Sequence, residues 1–428
     1  VIATGGPLGP RGGGTGLRGP VAATVLLFVA NGAIFGAIVP RLPDLKSALD
    51  LGPAGFGLAM ACFPAGALVG GLLAPALMRR RSDGAVAVAA MVLTSLAAAL
   101  LALSPVVGAF AGLLLVFGVC DAVTDVAMNA HGIRVQLRHG RSLINRFHAV
   151  WSLGAVLGAT GGSFAAGIGA SVVVQMSAAG VACALAALAA HPLRLRAAGS
   201  SGERRAPQRR VSRDPVPQRQ SPQRRLPGGR TLLLLVAFGL LASSAAVVED
   251  FAQTWSALYL REVAVAGAGV AGFGFIAVQG AQLIGRLAGD RLVDGIGAAH
   301  VGRTGGMCVV AGAGAALVGS FVLDGPALLT VVLAGFALAG WGIATVIPGA
   351  MVGADSVPGL SPGTGLAVLN WVMRLGFLTA PPLVGLIAEH AGMRWTVAPV
   401  LVGGVVIVLL AGRLLGRERA SRAREVRA

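Results

Sequence analysis

The chain has 428 residues, 55% of them hydrophobic and only 12% charged, with a mean hydropathy of +0.80. That balance excludes an ordinary soluble domain. The formal net charge of +17 would suit a nucleic-acid partner, but it is concentrated in a few short segments between apolar stretches, which excludes a basic binding face.

A bilayer core about 30 Å thick needs a helix of roughly 20 apolar residues, and its backbone groups must be satisfied without water. Six stretches of that kind come first: helix 1 at Val21–Pro40, helix 2 at Ala54–Met78, helix 3 at Gly84–Leu103, helix 4 at Val106–Ala130, helix 5 at Phe147–Ile168 and helix 6 at Ser171–Ala190. Six more follow: helix 7 at Thr231–Leu260, helix 8 at Val270–Leu287, helix 9 at His300–Val322, helix 10 at Pro326–Met351, helix 11 at Thr364–Ala388 and helix 12 at Thr396–Leu415. The predicted fold class is an all-α membrane protein of twelve transmembrane helices in two six-helix bundles. Residues 21–191 form the first bundle and 231–416 the second, with a disordered tail at 1–20, a basic disordered linker at 192–230 and a basic tail at 417–428. Six helices, a linker and six more constitute an internal repeat. Transporters built this way hold their site between the halves at mid-membrane.

The charge gives the expected orientation. The segment Leu193–Arg230 has eleven arginines against Glu203 and Asp214, and the chain after Gly412 has six arginines against two glutamates. Arg134, Arg138, Arg141 and Arg146 cluster between helices 4 and 5. Short connections such as Ser104–Pro105 and Gly169–Ala170 alternate with these basic ones. By the positive-inside rule the basic connections and both termini are cytoplasmic, and anionic lipid is an expected partner there. The segment Val1–Arg18 lacks the apolar core of a signal peptide, and its deletion is expected to be tolerated.

Enzymatic and nucleotide motifs are missing or out of context. Gly267–Gly272 matches GxGxxG by spacing, but no strand precedes it and it enters an apolar helix. There is no GxxxxGK[ST], Lys46 is the sole lysine, and HExxH does not occur. The four cysteines fall inside apolar stretches with no metal spacing. We therefore expect no enzyme activity, no cofactor and no metal, and an ion gradient as the energy source.

Ionisable residues inside a membrane are costly and mark functional candidates. On helix 4, Asp121, Asp125 and Asn129 recur every four residues and share a face. Asp121 is read as a proton-coupling or solute-binding group, and Asp125 as a structural or gating one. At the start of helix 5, Asn145 is a candidate N-cap, and His148 is placed to meet Asp125 or Asn129. Helix 7 carries Glu249, Asp250 and Gln253. Glu249 and Gln253 share a face, whereas Asp250 is turned about 100° away. Helix 11 carries Arg374 about 15 Å from its start. It cannot shed its proton, so it needs an anionic ligand or a carboxylate, with Asp121 and Glu249 as the available acids. Asn370 shares its face. Asn31, Gln175, Gln279, Gln282 and Trp341 are smaller candidates, each of which also suits helix packing. Together they suggest an amide-rich, sparsely aromatic cavity for a polyhydroxylated solute.

These residues fall into a pattern. Asn31-Gly-Ala-Ile-Phe-Gly36 leads to Arg41-Leu-Pro43, and Asp125-Val-Ala-Met-Asn129 to Phe147-His148-Ala-Val-Trp151-Ser152. Glu249 leads to Trp255-Ser256, and Gly285-Arg286-Leu-Ala-Gly289-Asp290-Arg291 follows helix 8. As a set they resemble the major facilitator superfamily, and more narrowly its bacterial inner-membrane branch near the fucose and sugar permeases. The resemblance implies alternating access, often coupled to protons. Thr254 and Arg374 depart from the branch, which usually has an acid and a tyrosine or small residue there; the departures point towards an anionic solute. Asp290 and Arg291 are expected beside the cytoplasmic end of helix 5, with an Asp290–Arg146 latch that opens when the site faces inwards.

The resulting expectation is a secondary transporter in a bacterial plasma membrane, acting as a monomer. It would move a sugar-like or sugar-acid-like solute, coupled to protons; the alternative is a proton-driven exporter of drugs or metabolites. The expected solute or coupling residues are Asn31, Asp121, Glu249, Gln253, Gln279, Trp341, Asn370 and Arg374. The expected cytoplasmic gate is Asp125, Asn129, Arg146, His148, Asp290 and Arg291.

Overall fold

In the computed structural model the described residues are 17–140, 143–195, 229–357, 360 and 363–416. Most of the linker, residues 1–16 of the first tail, the whole of the last tail and Arg141 lie outside them, and helix 1 takes in residues 18–20, expected from the sequence to be part of a disordered tail. Among the described residues, twelve helices are long and apolar enough to cross a membrane. They are helix 1 at Arg18–Ala48, helix 2 at Pro53–Arg80, helix 3 at Asp83–Leu101, helix 4 at Val107–His139, helix 5 at Ile144–Gly167 and helix 6 at Val172–Leu193. The second half has helix 7 at Thr231–Glu262, helix 8 at Ala268–Ile296, helix 9 at Ala298–Val322, helix 10 at Gly325–Asp355, helix 11 at Thr364–Ala391 and helix 12 at Met393–Leu414.

Several run a turn or more beyond their apolar core. Helix 1 continues through a 3₁₀ turn at Val39–Arg41, and helix 4 ends on a left-handed Gly140. Helix 5 is not capped by Asn145. Its first helical residue is Ile144, and the Gln136 side chain accepts from the Leu143 and Ile144 amides at 2.8 and 3.0 Å. A long amide from helix 4 reaches those orphan donors, while Asn145 points outwards and is exposed.

The repeat is visible in the packing. In the first half helix 1 packs on helices 5 and 6, helix 4 on helices 2 and 3, and helix 3 on helix 6. Each pair recurs six helices later: 7 on 11 and 12, 10 on 8 and 9, and 9 on 12. Small residues allow these approaches, since lipid-immersed helices gain little from the hydrophobic effect and depend on close packing. A Cβ at Gly36 would collide with the Ala155 carbonyl, and one at Gly70 with Val119. Leucines and phenylalanines such as Leu72 and Phe164 point outwards and are exposed, as lipid-facing surface requires.

Connections after odd-numbered helices lie at one end and are short. Those after even-numbered helices lie at the other, the basic end. The halves meet chiefly through helix 2 against helix 11 and helix 5 against helix 8, a pair of contacts that the repeat itself exchanges. At the short-loop end Lys46 pairs with Glu262 at 3.1 Å. The Ala54 amide donates to Glu389 at 3.0 Å, and Phe56 meets Trp255 edge-on with centroids 5.6 Å apart. Arg41, 3% exposed, ties the end of helix 1 to Asp44 at 3.1 Å and to the Ala170 carbonyl at 2.8 Å. This end is closed.

Candidate functional site

Below that seal lies a cavity of ≈ 240 Å³ between the halves, walled by helices 1, 2, 4, 5, 7 and 11. Its polar anchor joins three helices. Asn31 donates its amide N–H to Asp121 at 2.7 Å, and its amide oxygen accepts from the Trp151 indole at 2.7 Å. Both ends of the Asn31 side chain are used, so its orientation is fixed, and Asp121 is held by helix 1 while facing the cavity. A buried polar relay of this kind is stable only when each member has a partner.

Arg374 projects from the opposite half. Its guanidinium makes a long hydrogen bond to the Ala67 carbonyl at 3.4 Å. It lies over Gly71, where a Cβ would sit 3.5 Å from it, so the missing side chain makes room for the charge. Among the described residues it pairs with neither Asp121 nor Glu249, the two acids the sequence offers as its carboxylate partners. Asp125, one turn from Asp121, is the carboxylate within its electrostatic reach.

Asn31, Asp121, Gln253 and Arg374 all line the cavity. Glu249 does not. It accepts from Gln282 and pairs with Arg286 at 3.2 Å, both on helix 8, so it is committed inside the second half. Gln279 is buried in helix 8. Trp341 packs over Gly285 and is partly exposed. Asn370 lies one turn from Arg374 but is not part of the wall. Gln175 donates to the Ala37 carbonyl at 3.3 Å, an interhelical bond.

The lining is also more aromatic than expected. Phe35 packs on Phe63 and Phe117 at 5.7 and 6.5 Å, and Phe377 and Trp151 complete an apolar wall. These rings are scattered over five helices in the sequence, and only the fold gathers them. Asp250 and Thr254 line the cavity as well. Gln253 lies within one turn of both Glu249 and Asp250, so spacing alone did not decide which acid shares the cavity.

The expected gate residues lie towards the basic end. Asn129 donates to the Asp125 carboxylate and carbonyl, both at 2.9 Å, so these two bond within helix 4. His148 reaches neither; its ring stands edge-on to Phe28 at 5.5 Å. Arg146, Asp290 and Arg291 are exposed, and Arg146 and Asp290 form no ion pair with each other.

Two pseudo-equivalent six-helix halves around a cavity that carries a few polar groups in an apolar wall, closed at one end, define a multi-pass membrane transporter. The comparisons with known proteins make the family explicit. The model of the Major Facilitator Superfamily matches residues 24–348, and the chain belongs to that superfamily. It is 30% identical to an uncharacterized transporter, y4wD, of Sinorhizobium fredii, over 86% of this chain and 90% of the relative. It is 27% identical to the membrane protein MosC of Rhizobium meliloti, over 94% and 91%. Among solved structures it shares the fold of a D-xylose–proton symporter, with a TM-score of 0.68 at 14% identity over 92% of this chain and 98% of that one. The nucleoside transporter NupG gives a TM-score of 0.61 at 13% identity over 93% and 98%.

Proposed function

We propose that this protein carries a small polar solute, sugar-like or sugar-acid-like, by alternating access coupled to protons. The observation that carries the reading is the pairing, in one cavity between the halves, of an uncommitted guanidinium and a relay-held carboxyl. Arg374 offers two parallel donors to an acidic group, while Asp121 and Gln253 offer acceptors and donors to hydroxyls. A carboxyl facing water-filled space inside a membrane is a natural proton carrier. The fold is shared with a D-xylose–proton symporter, which supports the class of solute. The basic end faces the cytoplasm on the positive-inside rule, so the closed short-loop end is the outer one, with both termini cytoplasmic and Arg146 and Asp290 as the two parts of an inner latch. Uptake of a labelled sugar or sugar acid by cells producing the protein, abolished by an uncoupler, tests this. Uptake indifferent to the uncoupler contradicts proton coupling.

The aromatic wall around Phe35, Phe63 and Phe117 favours a second reading, export of drugs or metabolites with an apolar body. Raised drug sensitivity of a deletion strain, with no defect in solute uptake, would select it.

A further inference from the structure

Four acids lie well inside helices 4 and 7, and three of them hold a side-chain nitrogen donor. Asp121 accepts from Asn31, Asp125 from Asn129, and Glu249 from Gln282 and Arg286. Among the described residues Asp250 has no nitrogen donor; its side-chain hydrogen-bond neighbour is Thr254. It is 6% exposed, its Oδ2 has no hydrogen-bond partner, and it lines the cavity with Gln253 and Thr254.

The backbone beside it is also unusual. Phe251–Trp255 form a π-helical turn, in which the Ser256 amide donates to the Phe251 carbonyl five residues back. Single π turns are frequent at functional sites, because the widened turn displaces a backbone group from the regular ladder. Asp250 immediately precedes this turn, and Thr254 is within it. In transport folds, irregular helical backbone together with side-chain oxygen coordinates sodium ions or protons.

The charges around Asp250 leave it without a counter-ion. Asp121 on helix 4 and Arg374 on helix 11 face the same cavity, but among the described residues Arg374 makes no ion pair, and its hydrogen bond goes to the Ala67 carbonyl. Glu249, its chain neighbour, is turned to Arg286 on helix 8. Helix 10 has Asp355 as its only charged residue, at its end, and helix 12 has only Arg394 and Arg413, near its ends. A buried carboxylate with no counter-ion is among the costliest arrangements in a protein.

We propose that Asp250, with Thr254 and the π turn, is a monovalent-cation site in the second half of the cavity, filled by a proton or a sodium ion. Both ions do the same chemistry there: each neutralises the free carboxylate oxygen. The proposal extends the transport reading by a second coupling site on the half opposite Asp121. It rests on that reading for its role, whereas occupancy is testable without any solute.

The experiment uses purified full-length protein in lipid nanodiscs at neutral pH, with protons and Na⁺ as the probes. Infrared difference spectroscopy records the carboxylic-acid C=O band, with its shift in D₂O, for wild type, Asp250→Asn and Asp121→Asn. Thermal unfolding is compared in NaCl and KCl at equal ionic strength. A protonated-acid band lost in Asp250→Asn and kept in Asp121→Asn establishes the proton. No such band, with a Na⁺-specific rise in unfolding midpoint that Asp250→Asn abolishes, establishes sodium. An Asp250→Asn spectrum matching wild type, with no Na⁺-specific rise, overturns the proposal. Thr254→Val keeps the carboxyl and is the second variant should Asp250→Asn fail to fold; it shifts the acid band or removes the Na⁺ effect, and no change in either overturns the proposal. A silent solute assay with an occupied Asp250 would refute the transport reading alone.

Discussion

Replacing Asn31 by alanine should uncouple three helices at once. The substitution removes the donor to Asp121 and the acceptor for Trp151, two bonds of 2.7 Å at a side chain 4% exposed. In water-soluble proteins a bond to an ionised group contributes about 1.5–3 kcal/mol and a neutral one about 0.5–1.5 kcal/mol. Interhelical bonds in membranes measure lower, about 0.6 kcal/mol on average and about 1.7 at most. The membrane range governs here, because the unfolded chain also finds partners in the bilayer. Asn31→Ala is therefore expected to cost about 1–3 kcal/mol in total. The assay is reversible unfolding in mixed micelles, as a double-mutant cycle of Asn31→Ala with Trp151→Phe. A coupling of roughly 0.5–1.5 kcal/mol is expected. Strictly additive single effects would refute the Asn31–Trp151 arm of the relay, and with it the argument that the Asn31 side chain is fixed from helix 5.

Other consequences follow from the same geometry. Gly36→Val places its Cβ against the Ala155 backbone, so folded protein on size-exclusion chromatography should fall severely, whereas Gly161→Ala meets open space and should leave the yield unchanged. Gly71→Leu fills the space beneath the Arg374 guanidinium and should reduce transport at least tenfold with folded protein retained; unchanged transport would remove Arg374 from the path. The Lys46–Glu262 pair is partly exposed, at 15% and 42% for the two side chains, so breaking it should cost at most about 1 kcal/mol. Spin-label distances across the short-loop end should then show a population shift of no more than about fivefold, restored by exchanging the two charges.

Much of this architecture is legible in the amino-acid sequence, for a definite reason. A membrane helix needs a long apolar run, and polar punctuation such as Arg79-Arg80-Arg81-Ser82 marks where it stops. Mid-membrane polar residues are also conspicuous, because each one is costly there, which is how Asn31, Asp121, Gln253 and Arg374 stand out. What spacing cannot show is the direction each face points. Glu249 and Asp250 are adjacent, and only the packing of helix 7 against helix 8 sends the first to Arg286 and the second to the cavity. The π turn at Phe251–Trp255 leaves no mark in the composition. Phe35, Phe63 and Phe117 look like ordinary lipid-facing or packing residues until helices 1, 2 and 4 bring them together. His148 follows the same rule: its position at the start of helix 5 is readable, but its contact with Phe28 rather than with Asp125 depends on how helices 1 and 5 cross.

The central claim, that Arg374 and Asp121 belong to one coupled solute path, is tested most directly by proton flux in proteoliposomes. The vesicles carry an internal pH dye and are challenged with a panel of sugars, sugar acids and amino acids, for wild type, Arg374→Ala and Asp121→Asn. The account predicts internal acidification by at least one sugar or sugar acid, lost in both variants although both remain folded. Silence of the wild-type protein across the panel, or acidification that survives either substitution, would contradict it.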